Sequence, residues 1–401
     1  PVVILDFPAP AHYAKCFSFF FSMVEGRKNN CNKSKIGCAT YPSSGVAEEK
    51  TGSTNAEGIG SRTVSCYVQG YPRSPPCFPY PHSTAFKMKD TLGLVITFNP
   101  SPQFYSNLIV LLSQLDSLLL IDNGSNPEIR RLLERETAGK KSSLHAIFND
   151  ENFGVAAALN QGFRWALAQG YGHVISFDQD SRPAPGMVSE LLRAYNSHPD
   201  CEKIAIVAPQ IQDGITGEKI AYLRTGETFH MERVSCEGDV IDDAVLVITS
   251  GSLNNLSAYG QVGAFRDDFF VDYVDTEYCL RAQERGYKII VACNAILHHR
   301  LGNQQTKQVG PLAMRPTFHS PLRWYYINRN RIAMYRLYAL RFPQWVLHDV
   351  STACYTLLKM LLFEDQKLRK ILALGLGVFD GILRRMGPAS VKRKASITTG
   401  E

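Results

Sequence analysis

From residue 92 onward, short unbroken apolar runs alternate with stretches of helical spacing, and each run ends in polar residues. The runs are LGLVITFN (92–99), LLLIDNGS (118–125), LHAIFND (144–150) and HVISFDQDS (173–181). Between them, Gln103–Gln114 carries Leu108, Val110, Leu111 and Leu112 at helical spacing, Pro127–Glu136 is a charged helix, and Asn152–Ala168 is rich in Ala and Leu. A strand without polar alternation must be covered on both faces. Strand–helix alternation supplies that cover in a mostly parallel, Rossmann-like sheet flanked by helices. Ligands of such sheets bind outside the carboxyl ends of the strands. Thr97, Asn99, Asp122, Asn123, Asn149, Asp178 and Asp180 all stand at those ends.

Further along, Pro185–Tyr195 reads as a helix and IAIVAP (204–209) as a strand. Gln210–Asp243 reads as an irregular polar excursion facing substrate, and AVLVITSGSL (244–253) as another strand. A helix at about 274–285 and a strand at 287–292 follow, and a helical, basic region runs on to about Met386.

Residues 1–89 differ in kind: they are rich in Gly, Ser, Pro, Asn and Thr, with no sustained period. Such composition buries too little apolar area to offset the entropy of ordering, so disorder or a segment unrelated to function is expected there. The formal charge of +6 is uneven. Residues 301–401 hold 16 Lys/Arg against 5 Asp/Glu, a net of +11, which leaves −5 for the rest. That bias points to an anionic partner near the C-terminus. The ten cysteines show no CxxC pair, and they read as reduced, small apolar fillers of a cytoplasmic protein. No apolar run reaches the ~20 residues of a spanning helix; Phe17–Val24 and Ile371–Phe379 are too short, and no secretory leader is expected.

Asp178 and Asp180 stand two apart at the end of the apolar VISF. Carboxylates there are costly unless a cation or donors meet them, and a pair suits a hard divalent ion. A turn or cap before Pro183 is the plainer alternative. Asp122 and Asn123 suit either nucleoside hydroxyls or an Asx-type turn. The segment NDENFGVAAALNQG offers Gly154 for close backbone approach and a helix start for an anion, or simple helix–sheet packing. In YVDTEYCLR, Asp275 and Glu277 diverge, whereas Glu277 and Arg281 share a face at i and i+4. Asp275 is therefore the candidate general base, with an N-cap carboxylate as the alternative. His298 and His299 end the run IIVACNAIL, and one of them is a candidate for the metal shell.

Together these residues resemble glycosyltransferase family 2, the inverting GT-A transferases, and within it the bacterial rhamnosyltransferase group. The resemblance rests on VITFNP, LLLIDNGS, NFGVAAALNQG, FDQDS, SGSLNN, GAFRDDFFVDYVDTEYCLRAQERGYK, HHRLGN, SPLRWYYINRN and DGILRRMG, over about residues 92–386. It implies a GT-A domain over 90–300; a basic helical region over 301–390 and a disordered tail over 391–401 are expected to follow. It implies that Thr97, Asn99, Asp122 and Asn123 hold the nucleoside, and that Asn152, Gly154 and Asn160 line the donor pocket. Asp178 and Asp180 would be the metal-binding DxD for Mg²⁺ or Mn²⁺, with Asp178 also facing substrate. Asp275 aligns with the catalytic base and His299 with a histidine that meets metal or diphosphate, His298 being its immediate neighbour. Many relatives have Glu-Asp at the base where this chain has Val274-Asp275, as suits the rhamnosyl group. The implied donor is a nucleotide sugar, dTDP-L-rhamnose, and the implied acceptor a lipid-linked or polysaccharide glycan.

Arg323, Arg329, Arg331, Arg336 and Arg341 are interleaved with Trp324, Tyr325, Tyr326, Tyr335, Tyr338 and Phe342. That mixture suits peripheral contact with an anionic membrane, on the inner face of the cytoplasmic membrane, single-stranded nucleic acid, or an ordinary amphipathic helix; no nucleic acid partner is expected. Three rival functions differ in their signatures. A nucleotidyltransferase would show a Gly-rich basic loop after the first strand, where this chain has FNPSPQF. A dehydrogenase would show GxGxxG there. A non-catalytic sugar-nucleotide or glycan-binding module would bind without turnover.

Overall fold

A computed structural model of the chain describes residues 91–398, apart from 139–142, 215, 228–229, 300–306, 310–311 and 315. The segment 1–89, the Phe17–Val24 run and the last residues of the tail lie outside the described residues.

The first half alternates as its sequence reads: β1 (Thr91–Thr97), α1 (Gln103–Gln114), β2 (Leu118–Asp122), α2 (Pro127–Ala138), β3 (Leu144–Phe148), α3 (Val155–Ala168) and β4 (His173–Asp178). β1, β2, β3 and β4 pair in parallel. The apolar runs become central strands because both faces are covered: Leu92, Leu94 and Ile121 meet one core cluster, Val95, Leu118 and Leu120 the other. Gly162 eases the close approach of α3 to β1: a Cβ there would lie 2.5 Å from the Leu94 side chain.

The second half comprises β5 (Arg182–Pro183), α4 (Met187–Ser197), β6 (Ile204–Asp213), β7 (Tyr222–Thr225), β8 (Met231–Val234), β9 (Val240–Ile241), β10 (Ala244–Leu246), β11 (Leu253–Asn255), α5 (Leu256–Val262), α6 (Val274–Glu284) and β12 (Lys288–His299). The large sheet runs β3-β2-β1-β4-β11-β6-β12-β5, with β9 also on β12. The strand order reverses between β1 and β4, so the crevice at their carboxyl ends is the topological switch point.

Three expectations need correction here. The excursion 210–243 is not irregular: β7 and β8 join β10 in a small antiparallel sheet. The run 244–253 is not one strand, because a turn with Gly251 at φ 77° separates β10 from β11. The cysteines are not all reduced. Cys236 and Cys293 form a disulfide, and Cys201 is also disulfide-bonded. The Asp239 carbonyl accepts the Cys293 N–H at 2.9 Å, which lays the excursion along β12. The two Cα atoms then stand 5.4 Å apart, within the span a bridge requires.

A hairpin of β13 (Lys307–Val309) and β14 (Leu312–Met314) leads to four helices: α7 (Pro321–Tyr338), α8 (Pro343–Phe363), α9 (Lys367–Ile382) and α10 (Val391–Thr398). The stretch expected as a disordered tail thus begins with a helix, whose Ile397 is fully buried beside the Trp324–Tyr326 cluster. One described helix, α8, has the length and apolar composition to cross a membrane, contrary to the sequence expectation.

Candidate active site

β4 ends at Asp178, and the chain turns through Asp180 and Ser181 into β5, which pairs with the last residues of β12: Leu297 opposite Pro183 and His298 opposite Arg182. Along β12, the register to β6 slips between Ala292 and Ile296. Such a bulge re-aims the residues beyond it and brings His299 to the aspartates. One ligand atom each from Asp178, Asp180 and His299 lie within 4.8 Å of one another. Two carboxylate oxygens and an imidazole nitrogen fit one divalent cation. Burial raises the pKa of Asp178, the His299 charge lowers it and the Asp180 charge raises it; a cation would offset the burial cost.

A pair of serines holds this trio. Ser250 Oγ accepts the Asp178 N–H at 3.0 Å and lies 2.6 Å from Ser181 Oγ, which lies 3.0 Å from His299 Nδ1. Both serines are buried. Sequence reading passed over them; the signal was their place in FDQDS and SGSLNN. A cavity of about 780 Å³ opens beside the trio, lined among others by Asp180, Arg182, His298 and His299 on one side and Gln103 and Asn107 on the other. His299 joins the cluster, and His298 lines the same cavity.

The strand-end polar residues divide into two sets. Thr97 and Asp122 are fully buried and bond each other at 3.1 Å. Ser125 closes over Asp122 from its Oγ at 2.5 Å and its N–H at 3.1 Å. Asn123 is buried and bonds Asn149, Asn152 and the Gly154 carbonyl. These groups build the crevice floor, with Asp122 also accepting the Ser125 N–H in an Asx-type turn. Asn99 is exposed at φ 47° on the rim, its Oδ1 accepting from Asn126 N–H at 2.9 Å. Asn152 is half-buried. Asn160 lies inside α3, facing the core. It is 2% exposed, with its amide spent on Phe265 N–H, Phe265 carbonyl and Tyr259 hydroxyl. The preceding helix turn points it inward, which a motif match cannot reveal.

Gly154, at φ 86°, abuts the loop before α6: a Cβ would lie 2.5 Å from the Phe270 carbonyl oxygen. The loop leads straight into the first turn of α6, which carries Asp275. Glu277 accepts three hydrogen bonds from Arg281, and one from the Tyr338 hydroxyl at 2.8 Å. Asp272 takes Arg323. Asp275 accepts the Thr276 N–H at 2.8 Å and makes no ion pair among the described residues. Burial chiefly pushes its pKa up, to about 6; the Thr276 bond opposes this, and the charges of Asp272 and Asp178 add to it. An unpaired carboxylate within electrostatic reach of the trio can accept a proton near neutral pH.

The loop is held from behind by α7. Phe270, Asp272 and Tyr273 all adopt positive φ (67°, 62° and 62°), at a cost of about 1–3 kcal/mol each. Asn330 Nδ2 donates to the carbonyls of Phe269, Val271 and Asp272 at 3.0, 2.8 and 3.0 Å. The fully buried Arg329 donates to the Asp268 and Phe269 carbonyls. Tyr273, Arg331 and Tyr335 all bond Asp349 of α8. The Arg/aromatic stretch expected at a membrane is therefore largely internal: Trp324, Tyr325, Tyr326 and Tyr338 are at most 3% exposed.

Comparison with known proteins agrees with this architecture. Residues 94–241 match the model of glycosyl transferase family 2. The chain is 27% identical over 247 residues to the dTDP-rhamnosyl transferase RfbF of Shigella flexneri, spanning 61% of this chain and 79% of that one. It is 29% identical over 83 residues to a polyprenol monophosphomannose synthase of Mycolicibacterium smegmatis, spanning 21% of this chain and 31% of that one. Among solved structures, GalNAc-T7 with UDP, GalNAc and Mn²⁺ superposes with a TM-score of 0.50 at 11% identity, covering 65% of this chain and 50% of that one, which speaks for the fold alone. With a GT-A-like sheet, an acidic cluster at its switch point and these relatives, the chain is a glycosyltransferase whose residues 94–241 match glycosyl transferase family 2 and whose sequence is similar to a rhamnosyl transferase.

Proposed function

We propose that the chain is an inverting, divalent-metal-dependent transferase that moves L-rhamnose from dTDP-L-rhamnose to a hydroxyl of a lipid-linked or polysaccharide glycan, in the cytoplasm. The observation that carries the reading is the unpaired Asp275, electrostatically coupled to Asp178 of a three-ligand cluster. Asp275 takes the proton of the acceptor hydroxyl, the oxygen attacks the anomeric carbon, and the nucleoside diphosphate leaves from the opposite face. Asp178, Asp180 and His299 would hold Mg²⁺ or Mn²⁺, which when bound neutralises charge on the departing diphosphate. Asn99 and Asn152 are the nucleoside- and donor-facing contacts of the set, supported from beneath by Thr97, Asp122, Asn123 and Gly154. The donor assignment is supported by the likeness to the Shigella flexneri enzyme.

The test is a donor-hydrolysis screen across nucleotide sugars, with Mn²⁺ and with EDTA. The expected result is turnover of dTDP-L-rhamnose alone, abolished by EDTA. Turnover of a different sugar nucleotide overturns the donor, and EDTA-resistant turnover overturns the metal. An Asp275→Asn variant should bind donor and fail to transfer; full activity in it removes the base assignment.

A further inference from the structure

The helix α9 is built the wrong way round for one bordered by water. Its inward face consists of small or charged residues: Lys370, Ala373, Gly377, Asp380 and Gly381. Two glycines four apart let it lie against the α7 backbone, where Cβ atoms at 377 and 381 would stand 2.4 and 2.7 Å from the Tyr325 and Arg329 carbonyl oxygens. The inward charges are spent: Lys370 pairs with Glu364 at 2.7 Å, and Asp380 with Arg393 at 2.8 Å and Tyr325 hydroxyl at 3.0 Å. The outward face carries Leu368, Ile371, Leu372, Phe379, Ile382 and Leu383, between 44% and 83% exposed. These positions recur at three- and four-residue intervals and so form one stripe. A helix packed through small residues, with its large apolar side chains turned outward, has the pattern of a helix facing lipid.

The helix before it extends the stripe. Of the 21 residues of α8, only Trp345, Lys359 and Met360 are buried, while Leu358, Leu361 and Leu362 are exposed just before the turn into α9. The helix α8 is held to the folded body near both ends. Near its start Asp349 is bonded to Arg331, Tyr273 and Tyr335, and just beyond its end Glu364 accepts from the Thr317 and Phe318 N–H groups. A helix tied at both ends to one folded body lies along it.

The charge around the stripe has one sign. Lys367 and Arg369 open α9, Arg384 and Arg385 follow it, and all four are exposed, as are Lys392 and Lys394 of α10. Between residues 366 and 400 the single acid is Asp380, which is 3% exposed. An apolar stripe with cations at both ends suits the interface of a bilayer that carries anionic headgroups. We propose that the outward face of α9, with the adjoining end of α8, is the surface by which this chain docks on an anionic lipid membrane.

The proposal stands apart from the sugar-transfer reading, because vesicle binding requires neither donor nor acceptor. The test is co-sedimentation of the full chain with phosphatidylcholine vesicles and with vesicles containing about 30% phosphatidylglycerol. Binding to the anionic vesicles should exceed binding to the neutral ones by at least about tenfold and fall with added salt. Leu372→Asn with Phe379→Asn should lower anionic-vesicle binding by about tenfold or more, and Arg384→Gln with Arg385→Gln should remove most of the preference for anionic over neutral vesicles. Circular dichroism should show the same fold in each, since all four side chains are exposed and Asp380 keeps Arg393 and Tyr325 when Arg385 is replaced, and donor hydrolysis should be unchanged. Equal binding of the parent and the Leu372→Asn, Phe379→Asn variant overturns the proposal. So does a dimer in light scattering that this variant converts to monomer without any vesicle binding by the parent, which would assign the stripe to a second copy.

Discussion

A carboxylate that must take a proton from an alcohol works only when ionised, so the raised pKa of Asp275 sets where transfer fails in acid. With that pKa near 6, the rate should climb as pH rises through about 6 and level off above it; a carboxylate at its ordinary value would place the limb two units lower. A bound cation offsets the Asp178 charge, so the limb should sit lower at saturating Mn²⁺ than at limiting Mn²⁺. Asp275→Asn should cost about 10²–10⁴-fold in kcat and leave no such limb. A pH profile flat from 5 to 8 in the parent enzyme would sink the assignment. Ser250 offers a second test, because its contacts run only through other residues. It fixes the Asp178 backbone and, through Ser181, the His299 ring. Groups that orient metal ligands in this way typically contribute about 10–100-fold to metal affinity. Ser250→Ala should therefore raise the Mn²⁺ concentration for half-maximal activity by about that factor, with kcat at saturating Mn²⁺ little changed. An unaltered Mn²⁺ requirement would show that the serines hold the backbone alone.

Among the elements, α7 carries the strongest unannounced constraint on the site. Asn330 supplies three hydrogen bonds to a loop with three residues at positive φ. Removing its amide releases that strain toward ordinary backbone geometry one turn before Asp275. Asn330→Ala should lower kcat by about 10²-fold, the usual cost of a misplacement near 1 Å, while donor KM moves little because the metal cluster lies on β4 and β12. A fall in stability with kcat intact would make Asn330 a packing residue only. None of this was legible from the chain, since Asn330 and its partners are 58–61 residues apart, and no spacing rule links them. What was legible is the local signal. LLLID and VISFD are unbroken apolar runs that must be central strands, and Asp178 and Asp180 follow from where one of them ends. The i, i+4 spacing of Glu277 and Arg281 correctly left Asp275 unpaired. Direction was not legible: Thr97 and Asp122 at strand ends, and Asn160 on α3, are hydrogen-bonded to neighbouring residues that no local pattern announces. The disulfide was missed because Cys236 and Cys293 meet only through the pairing of the excursion with β12.

At the scale of the molecule, the change of composition near residue 300 is no seam in the core. Ala333, Met334, Tyr338 and Trp345 are buried in the same cluster as Leu94, Phe163 and Tyr278 of the sheet domain. The +11 charge of the last hundred residues is partly internal as well, since Arg329 is fully buried and Lys370 pairs with Glu364. A chain cut after residue 316 would lose those four core side chains, each worth about 1.5–3 kcal/mol for the larger ones. It would also strip the Tyr338 hydroxyl from the buried Glu277 and every side-chain donor from the Phe269–Asp272 carbonyls. The sum approaches the whole stability of an ordinary domain, about 5–15 kcal/mol. The fragment 91–316 should therefore fail to give a cooperative thermal transition, and it should hydrolyse no donor even with Mn²⁺ present. A shorter cut after Gly387 removes only α10 and its approach, leaving Asp380 with Tyr325 and Arg385. That variant should fold with a lowered melting temperature and keep its donor turnover. If 91–316 instead unfolds cooperatively and turns over donor at the parent rate, then α7 is an appendage, and the clamp on Asp275 has no part in the chemistry.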